Sequence, residues 1–169
     1  MAVRPIVVYP DPRLKAVCAP LPVGAAEARR VATDLRDTLE TVPGTGIAAP
    51  QIGELVRLVY LDAGRNPKHA DGAHPALWLV NPVIVERVGT QRFREGCLSL
   101  PQLTGQVKRA KRVEVAALDL DGEPQRIIFE GFAAVLAQHE IDHLDGVLFL
   151  DRMESRASLM RREERREEG

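Results

Sequence analysis

Two cysteines in 169 residues, Cys18 and Cys97, are too few to staple a small fold with disulfides. No N-terminal signal precedes the first apolar run, Ile6-Val7-Val8-Tyr9, so a reducing, cytoplasmic setting is expected. An excess of one charge is also missing. The formal net charge is −1 and the isoelectric point about 6.4, which excludes a bulk electrostatic pull onto nucleic acid or an anionic membrane. Apolar runs reach only a handful of residues, against the roughly 20 that a spanning helix needs, and no membrane segment is expected. No internal repeat is visible. What remains, 45% hydrophobic and 28% charged, is the composition of an ordinary globular protein whose length suits one core.

Along the chain, residues 6–9 read as a strand and Pro10-Asp11-Pro12-Arg13-Leu14 as a loop, because two prolines keep a helix from starting there. Over residues 25–42, Ala28, Val31, Ala32, Leu35, Leu39 and Val42 recur at three- and four-residue spacing, which predicts an amphipathic helix ended by Pro43-Gly44. The pattern then changes to a period of two or to short apolar runs, predicting strands over residues 56–61, 77–80, 83–88, 113–118 and 127–129. Residues 62–75, rich in Gly, Pro, Asn, Asp and His, read as a surface loop, and Asp121-Gly122 as a hairpin turn. A second helix is predicted over residues 131–144, with Phe132, Val135, Leu136, His139, Glu140 and His143 on one stripe and Gly146 placed to stop it. The division expected is a catalytic domain over residues 1–152 and a charged tail over 153–169. In that tail like charges at i,i+4 oppose favourable pairs at i,i+3, so a partly helical, frayed segment is expected.

His139-Glu140-Ile141-Asp142-His143 is an H-E-x-x-H sequence inside the second helix. A spacing of four puts both imidazoles on one face within reach of one metal ion, with Glu140 beside its open side as a general base. The alternative is a polar cluster at a helix end bonded to loops. A metal accounts better for three ionisable groups on an apolar stripe, since burying them unpartnered would cost several kcal/mol.

A catalytic site of this kind has three protein ligands and one open position. In the metalloprotease pattern the third ligand lies downstream, but downstream of His143 the chain has no His or Cys, only Asp145, Asp151 and the glutamates of the tail. Upstream, Glu95-Gly96-Cys97-Leu98-Ser99-Leu100-Pro101 offers a thiol, and Cys97 is expected to be the third ligand. Cys18 has no acid or histidine motif around it and reads as a small buried hydrophobe. A third segment, Gly44-Thr45-Gly46-Ile47-Ala48-Ala49-Pro50-Gln51, has so little bulk that a backbone can lie close to a ligand, and Gln51 adds an amide donor. A helix terminator followed by a tightly packed strand explains this segment equally well.

In this order the three segments resemble the three motifs of peptide deformylase, the metallohydrolase that removes the formyl group from the N-terminal methionine of new bacterial and organellar proteins. Val8-Tyr9-Pro10-Asp11-Pro12-Arg13-Leu14 is similar to that family's opening, and the resemblance covers nearly the whole chain. Two departures are Ile47, where leucine is commoner, and the length of the 62–75 loop. The resemblance implies an α+β fold, with mostly antiparallel strands packed around the central helix that carries H-E-x-x-H. It implies that Cys97, His139 and His143 hold one divalent metal. Ligand softness admits Fe²⁺, Zn²⁺, Co²⁺ or Ni²⁺, and the family points to Fe²⁺.

The resemblance further implies that Glu140 moves the proton, while the Gln51 amide and the Leu98 N–H stabilise the oxyanion. It puts Phe93, Phe132, Val135 and Leu136 around the methionine side chain, and the peptide antiparallel to Gly44, Thr45, Gly46 and Ile47. Glu95 and Arg109 are expected to pair near the site as a structural ion pair. The partners implied are formyl-Met nascent peptides and, weakly because the tail's Arg and Glu balance, the ribosome; nucleic-acid binding and membrane attachment are not expected. Two rivals are a zinc endopeptidase, disfavoured by the missing downstream ligand, and a deformylase-like fold that only binds metal or a partner.

Overall fold

A computed structural model describes residues 2–22, 26–70 and 74–162. The three- and four-residue spacing becomes helix α1, Ala26–Glu40, which buries Ala28, Val31, Ala32, Leu35 and Leu39 while Arg29 and Arg30 stay in solvent. Position 25 lies outside the described residues, and Val42 falls in the turn after the helix. Strands β1, Gly46–Ala48, and β2, Leu58–Leu61, follow. Then come β3, Leu77–Val88, β4, Gln91–Cys97, β5, Leu100–Arg109, β6, Arg112–Leu118, and β7, Pro124–Glu130. Helix α2, Gly131–Leu144, the short α3, Phe149–Arg152, and the two-residue strand β8, Met160–Arg161, complete the order.

The strands form two antiparallel sheets, one in the order β1-β2-β3-β6-β7 and one in the order β4-β5-β8. Helix α2 packs against both. This is the expected α+β architecture. Among the described residues no helix is long and apolar enough to cross a membrane.

Several local expectations are corrected. Residues 6–9 belong to no sheet, and Tyr9 enters a turn; Val7 N–H donates to the Gln51 carbonyl (2.8 Å) and Tyr9 N–H to the Ser99 carbonyl (2.9 Å). Pro12 does not prevent a helix. It sits at the first position of a 3-10 turn, Pro12–Lys15, where no N–H is needed, and Asp11 Oδ1 accepts the Arg13 N–H at 2.9 Å. The runs at 77–80 and 83–88 are one strand, because irregular pairing carries β3 past Asn81-Pro82. The Asn81 amide there bonds both the N–H and the carbonyl of Leu21 (2.8 and 2.9 Å). Strands β4 and β5 escape sequence reading because β4 carries Arg92, Arg94 and Glu95 around one Phe, and β5 has Pro101 near its start.

The segment after Arg152 is a 3-10 turn, Arg156–Ser158, and then β8 rather than a continuing helix, and residues 163–169 lie outside the described residues. The 62–75 segment contains a 3-10 turn, Ala63–Arg65, and its positions 71–73 also lie outside them. The Asp121-Gly122 hairpin joins β6 to β7 as expected.

Helix α2 departs from the single stripe read in its sequence. Every residue from Ala134 to Leu144 is buried, so its polar side chains all have work inside the protein. Gln138 reads both backbone groups of Ala110, accepting its N–H at 3.0 Å and donating to its carbonyl at 3.1 Å. Gly146 ends the helix with φ +70°. A Cβ there would lie 2.4 Å from the Lys15 carbonyl oxygen, so both backbone and space demand glycine.

Candidate metal centre

Three elements converge on the buried middle of α2. The helix supplies His139, Glu140 and His143, the end of β4 supplies Cys97, and a 3-10 turn after β1, Ala49–Ile52, supplies Gln51. The ligating atoms of Cys97, His139 and His143 all lie within 4.8 Å of one another, and Cys97 Sγ is 3.3 Å from His143 Nε2. A tetrahedral ion with bonds of roughly 2.0–2.3 Å would set such atoms about 3.5 Å apart, so one thiolate and two imidazoles fit a single ion.

The surrounding groups aim these side chains. Glu95 Oε2 lies 2.8 Å from His139 Nδ1, which assigns the proton to Nδ1 and leaves Nε2 for a metal. Arg109 grips Glu95 with two bonds (2.7 and 3.0 Å), reaches Asp142 at 2.6 Å, and Asp142 is clamped in turn by Arg152 (2.9 and 3.1 Å). Burial alone would raise the Glu95 carboxyl, but bonds from Arg109 and His139 outweigh it and hold that group at about 2. Burial also holds the His143 ring well below its ordinary value, favouring the neutral form that ligates metal.

Burial with Glu95 as a like charge nearby raises the Glu140 carboxyl to about 7, despite the opposing pull of His139 and Arg109. Glu140 Oε2 is buried with no hydrogen-bond partner among the described residues, and His143 Nδ1 likewise. An unpartnered carboxylate oxygen on the residue next to His139, in the helix that supplies two of the three candidate ligands, is a group that a metal-bound water would partner. Gly46 is explained by the same carboxylate. A Cβ on Gly46 would meet Glu140 Oε1 at 2.9 Å and Leu136 Cδ1 at 2.8 Å, so the glycine makes room for the Glu140 side chain.

Gln51 is held by its own turn. Its Oε1 accepts the Ala48 N–H at 2.9 Å, which directs Nε2 toward Cys97 Sγ (3.5 Å) and Ser99 Oγ (3.2 Å). Leu98 occupies the turn immediately after Cys97, its side chain against Gly44. The family model for polypeptide deformylase matches residues 3–158. The chain belongs to the polypeptide deformylase family. Members of that family remove the formyl group from N-terminal formylmethionine, and this chain is a hydrolase of that kind. It is 45% identical over 161 residues to the peptide deformylase of Thermomicrobium roseum, covering 94% of this chain and 90% of the relative. A solved peptide deformylase from Legionella pneumophila superposes with a TM-score of 0.84 at 39% identity, covering 93% of this chain and 89% of that one. A class I type b peptide deformylase from Acinetobacter baumannii, solved with Met-Ala-Ser bound, gives 0.85 at 36%, with 90% and 99% covered.

β1 pairs with β2 on one side only, so Gly46 and Ile47 lie on a sheet edge; the Ile47 side chain is fully buried in the core beside α1. The Thr45 carbonyl accepts the Asp62 N–H, and the Gly44 carbonyl accepts from Arg65. Phe93 and Phe132 are half-buried with ring centroids 5.6 Å apart, and Val135 and Leu136 are buried. Cys18 is core, as expected, with burial pushing its thiol up to about 11. Sequence reading missed Asp142, Arg152 and Ser99. No sequence signal marks Asp142, because its role follows from the enclosure of α2 on every face after Ala133.

Proposed function

We propose that Cys97, His139 and His143 hold one Fe²⁺ and that Glu140 is the proton carrier for removing the formyl group from N-formylmethionyl peptides. The observation that carries this reading is the cluster of Cys97, His139 and His143, whose ligating atoms lie within 4.8 Å of one another, with the buried, unpartnered Glu140 Oε2 on the residue next to His139 in the helix. When bound, the cation polarises the formyl carbonyl and acidifies a water. Glu140, poised near neutrality, accepts a proton from the attacking water and returns it to the departing amine nitrogen, giving formate and a free methionine terminus. The Gln51 amide and the Leu98 N–H donate to the oxygen that becomes negative as the carbonyl carbon turns tetrahedral.

Phe93, Phe132, Val135 and Leu136 receive the first side chain, and the peptide adds to the free edge of β1 along Gly44, Thr45, Gly46 and Ile47. Met-Ala-Ser bound to the Acinetobacter baumannii protein supports a methionine-first peptide as occupant. The substrates are nascent chains in the cytoplasm, with a weak ribosome contact through the C-terminal segment that co-sedimentation of full-length and truncated protein tests. The deciding experiment is formate release from formyl-Met-Ala by protein purified without oxygen, beside metal analysis. About one iron per chain with turnover is expected; a metal-loaded protein that releases no formate overturns the reading.

A further inference from the structure

Residues 62–70 reach from β2 to the aromatic side of the proposed slot. The His69 ring lies flat on Phe132, with centroids 4.4 Å apart and 11° between planes, and 6.2 Å from Phe93. All three rings are half-buried. Hydrogen bonds fix this approach independently of the ring contact. Asp62 N–H donates to the Thr45 carbonyl at 2.7 Å, and Arg65 donates from Nε to the Gly44 carbonyl (2.9 Å) and from Nη2 to the Val42 carbonyl (3.1 Å). His69 N–H closes a turn onto the Asn66 carbonyl at 2.9 Å. One short segment therefore holds the backbone leading into β1 and lays an imidazole over the first turn of α2.

We propose that His69 is a specificity-determining residue whose ring forms the outer wall of the first-side-chain slot. The inference rests on the slot assigned above to Phe93, Phe132, Val135 and Leu136. Those residues come from a sheet and a helix and supply the slot's floor and one side; the loop supplies the remaining side. A flat ring stacked on another presents a smooth apolar surface to an unbranched side chain, and a thioether sulfur gains further from aromatic neighbours. Arg65 ties this wall to the carbonyl of Gly44, so the wall and the strand that receives the peptide are set in place by one side chain.

The test is formate release from formyl-Met-Ala and formyl-Gly-Ala by the metal-loaded wild type, His69→Ala and His69→Phe. His69→Ala should lower the Met-to-Gly ratio of kcat/KM by roughly three- to tenfold, through a higher KM for the Met peptide, with kcat and metal content unchanged. His69→Phe, which keeps a ring on Phe132, should restore most of that ratio. An unchanged ratio in His69→Ala overturns the proposal. So does a lower KM, which would mean that the ring fills the slot, and so does joint loss of kcat and metal, which would mean a structural role. A wild type inactive on both peptides overturns the parent activity and this proposal together; an active wild type beside an indifferent His69→Ala overturns the proposal alone.

Discussion

His139 and Glu95, 44 positions apart, meet at 2.8 Å through Nδ1 and Oε2, and this contact leaves Nε2 as the nitrogen open to the proposed metal. Glu95 does not act alone. Its charge is answered by Arg109, Arg109 also binds Asp142, and Asp142 is held by the half-exposed Arg152, so alternating charges run from the metal ligand to the surface. Each buried charge in the series has an opposite charge and hydrogen bonds, the condition under which burying it is tolerated.

Replacing Glu95 by Gln removes the charge that faces both Arg109 and His139. Breaking a buried ion pair costs about 3–5 kcal/mol, so a large fall in melting temperature is expected for Glu95→Gln, with faster metal loss to a chelator. A carboxyl whose folded value lies below its unfolded one stabilises the fold above the unfolded value and loses that contribution as pH falls. In metal-free wild type the Glu95 share should therefore fade from about 4.5 down toward about 2, and a stability-against-pH curve for Glu95→Gln should be flatter across that window. Equal slopes for the two proteins would contradict the assignment.

Glu140→Gln should separate ligand from catalyst. In the proposed set Cys97, His139 and His143 are the protein ligands, so metal content should be retained while kcat falls by about 10²–10⁴-fold or more, with KM little changed. Metal analysis beside steady-state kinetics checks this. Near wild-type turnover in a metal-loaded variant would remove Glu140 from the chemistry, and loss of metal would make it a ligand.

Cys97→Ser replaces the proposed sulfur ligand with a neutral hydroxyl at the same reach. Weaker metal retention or a changed metal preference is expected, because a hydroxyl is the poorer ligand for a soft divalent ion. His139→Ala and His143→Ala should lose metal and activity together. Full metal content with full activity in Cys97→Ser is the outcome that removes Cys97 from the set.

Gln51→Ala deletes the amide whose direction the Ala48 N–H sets. A fall in kcat of about 10²-fold is expected, typical of losing one donor to a developing oxyanion, with metal content preserved. A variant whose only change is a higher KM would make Gln51 a substrate-binding residue instead.

Cys18 should resist alkylation. Burial pushes its thiol up to about 11, so at pH 8 little thiolate is present and the path to it is closed. Mass spectrometry after iodoacetamide should find Cys18 unmodified in the folded protein and labelled in urea; equal labelling in both would show that the site opens readily.

The sequence by itself named the candidate ligands and the frame of the fold. Spacing of four between His139 and His143, the absence of a downstream ligand and the thiol at Cys97 are local facts of the chain, and the two long helices, α1 and α2, announced themselves through the period of their apolar residues. Only the tertiary structure decided what lies around the ligands. Asp142 and Arg152 acquire a role because α2 is enclosed on every face, and no window of sequence shows which neighbours enclose it. Strand β4 hid behind its charges because Glu95 is buried by Arg109 from another strand, a pairing across 14 residues that reverses the usual reading of a charged position as exposed. Gly46 read equally well as space for a ligand or as part of a tightly packed strand, and folding gave that space to the side chains of Glu140 and Leu136. His69 looked like loop, and only the return of residues 62–70 toward β1 and α2 brought its ring onto Phe132. Contacts of this kind depend on where distant segments meet, and that is a property of the packed chain rather than of any stretch of it.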